Sequence, residues 1–272
     1  MHFLFSLLVT LLQSPGARAA SWRSQENGDH ASSKTHNAVS SIGEIIGGRE
    51  AKPHSRPYMA YLKYSYKNEE GTCGAFLVRE DFLLTAAHCW GSLINITLGA
   101  HNIKKSEKTQ QQIPVLRAIP HKDYDNKTHN NDIMLLQLKK KAKLTRAVGL
   151  LALPRRKDRL RPRMRCIVAG WGNTRKKISS DTLQEVELKV REDHECKDKY
   201  PKYYNNSTEI CAGDPKDQKA SFRGDSGGPL VCDRVAQGIV SYGPKYGNNP
   251  RVYTRISSFL PWIRRTMKIH EY

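Results

Sequence analysis

The chain has 272 residues, 38 % of them hydrophobic, and a formal net charge of +19. That apolar share supports a packed core, in one large domain or two small ones, and excludes disorder throughout. The charge would draw nucleic acid, sulfated polysaccharide or an anionic membrane surface; the basic residues are scattered, without a basic zipper or zinc-finger spacing, and read first as a solvated face.

Phe3 to Leu12 form an apolar run too short to span a bilayer, and Ala17-Arg18-Ala19 offers the small-x-small pattern of signal peptidase sites, so residues 1–19 are expected to be a signal peptide leading into the secretory pathway. The following polar stretch, rich in Ser, Asn and His and without a period, reads as a pro-segment over 20–44. From Ile45 the texture changes. Short apolar or alternating runs at Tyr58 to Tyr66, Cys73 to Val78, Ile94 to Leu98, Ile133 to Leu138, Cys166 to Ala169, Val186 to Val190, Gly238 to Tyr242 and Val252 to Ile256 alternate with Gly, Asn, Lys and Pro clusters. Many short strands with frequent turns predict an all-β sandwich or barrel pair. At the C-terminus, Phe259, Trp262, Ile263 and Met267 share a helical face, with Ser257 or Ser258 as N-cap and Pro261 in the first turn. No segment after the signal is long and apolar enough for a membrane helix, and no repeat or nucleotide-binding glycine loop is visible.

A secreted context gives meaning to two further patterns. Cys73, Cys89, Cys166, Cys196, Cys211 and Cys232 imply disulfides, whose pairing the spacing does not decide. Without a C-x-x-C or H-x-x-x-H grouping no metal site is expected, and nothing calls for a cofactor. Sequons at Asn95, Asn126, Asn205 and Asn206 are glycosylation candidates, the last two overlapping.

Three stretches carry chemistry. In Gly224-Asp225-Ser226-Gly227-Gly228-Pro229 a serine sits among glycines that let the backbone turn tightly and aim N–H groups at an oxyanion, although the same string would serve as a plain turn. In Leu84-Thr85-Ala86-Ala87-His88-Cys89 an imidazole is pinned beside a cysteine; a histidine at a strand end is more often a satisfied core residue. Asn131-Asp132-Ile133-Met134 takes an acid into an apolar strand, where its carboxylate would need a donor such as an imidazole N–H. Together, in the order His, Asp, Ser, they point to nucleophilic catalysis.

These motifs, with Ile45-Ile46-Gly47-Gly48, Pro53 to Ala60, Leu98 to Lys104 and Thr182 to Val186, closely resemble the chymotrypsin-like (trypsin-fold) serine proteases, and among them the granzymes of cytotoxic lymphocytes, over essentially all of 45–272. The resemblance implies two packed antiparallel six-stranded β-barrels with a C-terminal helix. It implies bridges Cys73–Cys89, Cys166–Cys232 and Cys196–Cys211, with Phe222 where many relatives carry a further cysteine. By resemblance His88, Asp132 and Ser226 form the triad, the N–H groups of Gly224 and Ser226 the oxyanion hole, and Ser241-Tyr242-Gly243 a strand that pairs with substrate. A new N-terminus at Ile45, freed by removal of Gly43-Glu44, would pair with Asp225. The stretch 20–42 departs from granzyme precursors, in which the dipeptide follows the signal directly.

Arg251 matches the arginine of aspartate-preferring granzymes, in a primary pocket lined by Ala220 and Ser221. His129, Arg223 and Lys245 fall at neighbouring subsites, the last two suited to an upstream acid. Expected partners are protein substrates with Asp before the cut bond, sulfated proteoglycan and, from the family, serpin-type inhibitors, with no specific nucleic acid; the expected location is the cytolytic granule or the secreted pool. Two other readings stand beside this one: a chymase-like mast-cell protease, and a catalytically silent cationic binding protein, which the intact triad disfavours. A tryptic preference is disfavoured by Ala220, where an acid would be needed.

Overall fold

The computed structural model describes residues 45–67, 69–155, 160–173, 179–244 and 248–271. The expected signal and pro-segments, with Gly43-Glu44, and the subsite residue Lys245 lie outside the described residues. Strand β1 (Arg49–Glu50) belongs to the second sheet; the next six, β2 (Met59–Tyr66), β3 (Glu69–Arg79), β4 (Phe82–Thr85), β5 (Leu93–Leu98), β6 (Gln111–Pro120) and β7 (Met134–Leu138), close a barrel in the order β2-β3-β4-β7-β6-β5. Alternation makes it: in β5, Ile94, Ile96 and Leu98 turn inward while Leu93 and Asn95 face solvent. Strand β7 is buried at every position, because its outer side is covered too, with Gln137 Nε2 donating to His270 O at 2.9 Å.

The second sheet runs β1-β9-β8-β11-β12-β13-β10, with β8 (Arg165–Gly170), β9 (Gln184–Lys189), β10 (Glu209–Ala212), β11 (Pro229–Cys232), β12 (Val235–Tyr242) and β13 (Arg251–Arg255). Its ends meet at a bridge between Val190 and Ala212, reinforced by Gly213 N–H to Lys189 O at 2.9 Å, so six longer strands wrap into the second barrel. A short helix α1 (Asp193–Lys199) precedes β10, and α2 (Ile256–Ile269) ends the fold. Phe259, Leu260 and Ile263 of α2 join the apolar cluster of the first barrel, so the C-terminal helix belongs in its packing to the N-terminal half. Truncating Phe259 to alanine would cost about 3–5 kcal/mol.

The three disulfides are those the resemblance implied. Two helix details differ from expectation. The N-cap is Arg255, because β13 runs straight into the helix, and the Ser258 hydroxyl instead donates to Ser207 O at 2.6 Å; Pro261 therefore lies a turn deeper than the sequence suggested. Among the described residues no helix is long and apolar enough to cross a membrane.

Candidate active site

Strand β4 ends at Thr85, and a 3-10 turn over Ala87–Cys89 carries His88, with Cys89 tied back to Cys73 on β3. Asp132 enters two residues before β7 and is fully buried. His88 Nδ1 lies 2.7 Å from Asp132 Oδ2, and the His88 backbone N–H donates to Oδ1 at 3.0 Å. An ionised carboxylate only accepts, so Nδ1 carries the proton and Nε2 keeps a lone pair. The Ser241 hydroxyl donates to the same Oδ2 at 2.5 Å, and Thr254 Oγ1 donates to the Asp132 backbone carbonyl at 2.7 Å. Burial pushes the Asp132 carboxyl up, but His88 and the Ser241 and backbone bonds together hold it below the usual range. For His88 burial works downward and the Asp132 charge, with its bond, wins, raising the imidazole.

Ser226 arrives on the turn before β11, half-buried. Its backbone carbonyl accepts from Gly74 N–H at 2.7 Å, next to Cys73, so the turn is fastened to the strand that is bridged to the histidine turn. Gly224 has φ 94, and a Cβ there would lie 2.8 Å from the Gly172 Cα, so only glycine fits. The N–H groups of Asp225, Gly227 and Gly228 are spent on carbonyls at 3.0, 2.9 and 3.0 Å. Among the described residues those of Gly224 and Ser226 donate to no protein acceptor, leaving two amides of one turn open to an incoming oxyanion. No hydrogen bond joins the Ser226 hydroxyl to His88 among the described residues; such bonds tighten when substrate is bound.

Behind Ser226, Ala220 and Ser221 are fully buried, with Ser221 Oγ 3.1 Å from Tyr253 OH. Arg251, only 8 % exposed, lies along Gly243, where a Cβ would come within 2.7 Å of its Cζ. Its Nη1 reaches Pro244 O at 3.3 Å and its Nε is buried without a partner. Burial pulls this guanidinium below its ordinary value. The wall is held by Asn249, whose side-chain amide donates to Lys219 O at 2.6 Å, and by Lys199 Nζ and Tyr200 OH on the Asn249 and Pro250 carbonyls. His129 stacks on Tyr242 at 5.6 Å and stands edge-on to His88 at 5.8 Å.

Ile45 is fully buried in the core of the second barrel, and Ile46 bridges to Ala220. The Asp225 carboxylate, also fully buried, accepts from Gly172 N–H at 2.9 Å and Phe222 N–H at 2.8 Å. Burial nonetheless leaves its carboxyl pushed up to about 6. Arg223 is exposed. All four sequon asparagines are exposed. Sequence reasoning took Ser241 as a substrate-strand residue and missed its bond to Asp132, 109 positions away, along with Thr254 and Glu209. Nothing local in the chain marks those pairings.

A model of the trypsin family matches residues 45–263. A mouse protein (Mus musculus) named granzyme B(G,H) is 62 % identical over 227 residues, 83 % of this chain and 92 % of that relative. A sheep protein (Ovis aries) named mast cell protease 3 is 60 % identical over 227 residues, 83 % of this chain and 90 % of that relative. A solved structure titled "Structure of GrC" superposes with a TM-score of 0.80 at 54 % identity, covering 82 % of this chain and all of that one.

Proposed function

We propose that this chain, which belongs to the trypsin family of serine proteases, cuts peptide bonds after aspartate with His88, Asp132 and Ser226. His88 Nε2 takes the Ser226 proton as the hydroxyl attacks the carbonyl, Asp132 keeps the ring in its tautomer and stabilises its cation, and the open amides of Gly224 and Ser226 receive the oxyanion. Water then releases the acyl group by the reverse sequence. Ser241 acts through Asp132 as a positioning residue.

The aspartate preference rests on one observation: an arginine only 8 % exposed, with Nε unpartnered and, among the described residues, one carbonyl at 3.3 Å. A buried cation so poorly answered is costly, and a substrate carboxylate at the pocket floor would give it charge-assisted bonds. Relatives named granzyme and mast cell protease are about equally similar to the chain, so overall identity does not choose between aspartate and bulky apolar residues; Arg251 does. Matched peptides with Asp, Phe, Leu or Lys before the bond test this. The parent should prefer Asp, and Arg251→Gly should lose about 30- to 1,000-fold on Asp while improving on Phe. Best cleavage after Phe or Leu by the parent, or an unchanged ranking in the variant, replaces this reading with the chymase-like one.

Activation follows from Asp225. A buried carboxyl held up to about 6 despite the Arg251 charge has no ion-pair partner among the described residues, and the ammonium created by a cut after Glu44 would supply one from Ile45, organising the Gly224–Ser226 turn. We read residues 1–19 as a removed signal and 20–44 as the inhibiting pro-segment. Residues 1–44 hold three basic and three acidic side chains, so the trimmed chain keeps the net +19 and would bind sulfated proteoglycan in granules of cytotoxic cells. Serpin-type inhibitors and glycan at the exposed sequons belong to the same reading.

A further inference from the structure

Glu209 is a buried acid that the proposed chemistry does not use. It stands on β10 only 2 % exposed, with Oε2 accepting from the Asn205 N–H at 2.8 Å and from the Tyr242 hydroxyl at 3.2 Å, and with Oε1 buried and unpartnered among the described residues. A carboxyl is costly in such a place, where an apolar side chain of similar size would pack without desolvation. What it holds is the end of β12. The register between β12 and β13 shifts there: Val240 faces Tyr253 and Tyr242 faces Val252, leaving Ser241 as an extra residue. A bulge of this kind re-aims side chains. It gives consecutive residues to two different acids, the Ser241 hydroxyl to Asp132 and the Tyr242 hydroxyl to Glu209. The Tyr242 ring in turn stacks on His129 and meets Tyr200 edge-on at 5.4 Å. Across the β10–β13 pair Glu209 lies opposite Thr254, the other hydroxyl that supports Asp132.

We propose that Glu209 is a positioning residue for substrate binding: its carboxylate fixes the Tyr242 ring, and with it the strand 241–243 along which the peptide backbone is laid. The assignment rests on the proposed substrate role of that strand. A hydroxyl bonds an ionised carboxylate about twice as strongly as a neutral acceptor, so the hold on Tyr242 follows the ionisation of Glu209. Burial, outweighing the two bonds, pushes this carboxyl up to about 7. The surrounding groups do not reverse that. In the turn after α1 the Tyr204 hydroxyl is spent on Asp193; on β13 Arg255 gives Nη2 to the Glu209 backbone carbonyl at 2.7 Å instead of to the carboxylate; and the Asp132 charge pushes the acid further up. The phenols of Tyr200, Tyr204 and Tyr242 are all raised and stay protonated near neutral pH, and His129, beyond the Tyr242 ring, is held down by burial. Below about 7 Tyr242 therefore donates to a neutral acceptor, and above it to an anion. Peptide binding tightens across that interval, while bond-breaking is left to the triad.

The test uses the full chain secreted from expressing cells, with the same N-terminus in every variant. Two probes share one leaving group: a peptide with about five residues before the bond, long enough to lie along 241–243, and a single acetylated residue, too short to do so. Both carry whichever residue the parent cuts best, so the outcome does not depend on a preference for aspartate. For the long peptide the KM of Glu209→Gln divided by that of the parent should be near one at about pH 5.5 and rise to about three- to tenfold at about pH 8.5, with kcat moved less than about twofold. His88 titrates in both proteins and cancels. On the short probe the ratio should stay near one at both pH values. Tyr242→Phe, which removes only the hydroxyl, should show the same loss at high pH, and the double variant should be no worse than the larger single one, since both break one bond. Thermal melts check that the variants fold; should Glu209→Gln not fold, Tyr242→Phe carries the same test. A ratio equal at the two pH values, an equal effect on the short probe, a loss confined to kcat, or additive losses in the double variant would each overturn the assignment. A parent that cuts no peptide ends the triad reading instead, and calorimetric titration of the long peptide into Ser226→Ala protein, with and without Glu209→Gln, then decides Glu209 by the same ratio.

Discussion

Buried charge is handled differently in the two barrels. Asp132, at the entrance of β7 in the first, is answered on both oxygens by the His88 ring and backbone N–H and by Ser241, and its own carbonyl by Thr254. In the second, among the described residues, Arg251 has one long bond and an orphan Nε, Asp225 has two backbone amides and only the unbonded charge of Arg251 to lower it, and Glu209 has a buried Oε1 without a partner. Burial pushes the Asp225 and Glu209 carboxyls up to about 6 and about 7. The second barrel even lends hydroxyls from β12 and β13 to the first barrel's acid while leaving its own charges short. The His88–Asp132 pair proposed to handle the proton is thus finished before substrate arrives, and the groups proposed to govern activation and specificity wait for a counter-charge from outside.

The largest break would come at the junction of the two halves. Ser226→Ala should lower kcat by about 10⁶-fold with an unchanged melting temperature, since the hydroxyl contributes little to packing; wild-type turnover by that variant would remove Ser226 from the mechanism. Next is the finished pair itself. Asp132→Asn should cost about 10⁴-fold, the size of effect this exchange has in the trypsin template, because an amide can donate toward Nδ1 and select the wrong tautomer. A loss under tenfold would mean the ring is held by something else. On the waiting side, Asp225→Asn in the trimmed enzyme should cost roughly 10²–10³-fold, comparable to losing an oxyanion donor, and should bring it down to the rate of chain that still carries Glu44. Trimmed and untrimmed forms of equal activity would dissolve the contrast between prebuilt and waiting charges.

Much of this contrast was legible only on one side. The triad pieces are local signals: glycines required by a positive φ at Gly224, a histidine locked by an adjacent disulfide, an acid leading a continuous apolar run. Strands with alternating or fully apolar texture were found, whereas β6, with two prolines and only Ile113 buried, and the four-residue β4, β10 and β11 gave no period long enough to read. Helix α1, with Cys196 as its only buried residue, has no apolar face to see. The state of Arg251 is set by Gly243 and Pro244, and that of Asp225 by Gly170 at the end of β8 and Gly172 just beyond it. Bond satisfaction is a tertiary property, and a sequence shows which groups carry charge without showing who answers them.

The smallest effect concerns stability rather than rate. In chain that retains Glu44, Asp225 has no ammonium beside it, and its folded carboxyl stands at about 6 against 3.8 for the free group. The folded state therefore holds this proton more tightly than the unfolded one. Its contribution is fully present below pH 4 and is lost as pH rises through 6, by about 3 kcal/mol at most. Asparagine stays neutral throughout. Its NH₂ would face one of the Gly172 or Phe222 amides, an unfavourable contact, but that cost is the same at every pH. Glu209 titrates in both proteins and cancels. The quantity to measure is the stability of Asp225→Asn minus that of the parent, from urea unfolding at pH 4 and pH 7.5. In the untrimmed chain it should rise by up to about 3 kcal/mol between the two. In the trimmed enzyme it should not rise, because the Ile45 ammonium would hold Asp225 ionised and favour the parent at neutral pH. A flat difference in the untrimmed chain would mean that Asp225 already has a partner there, and the waiting charge on the activation side would be lost from the comparison.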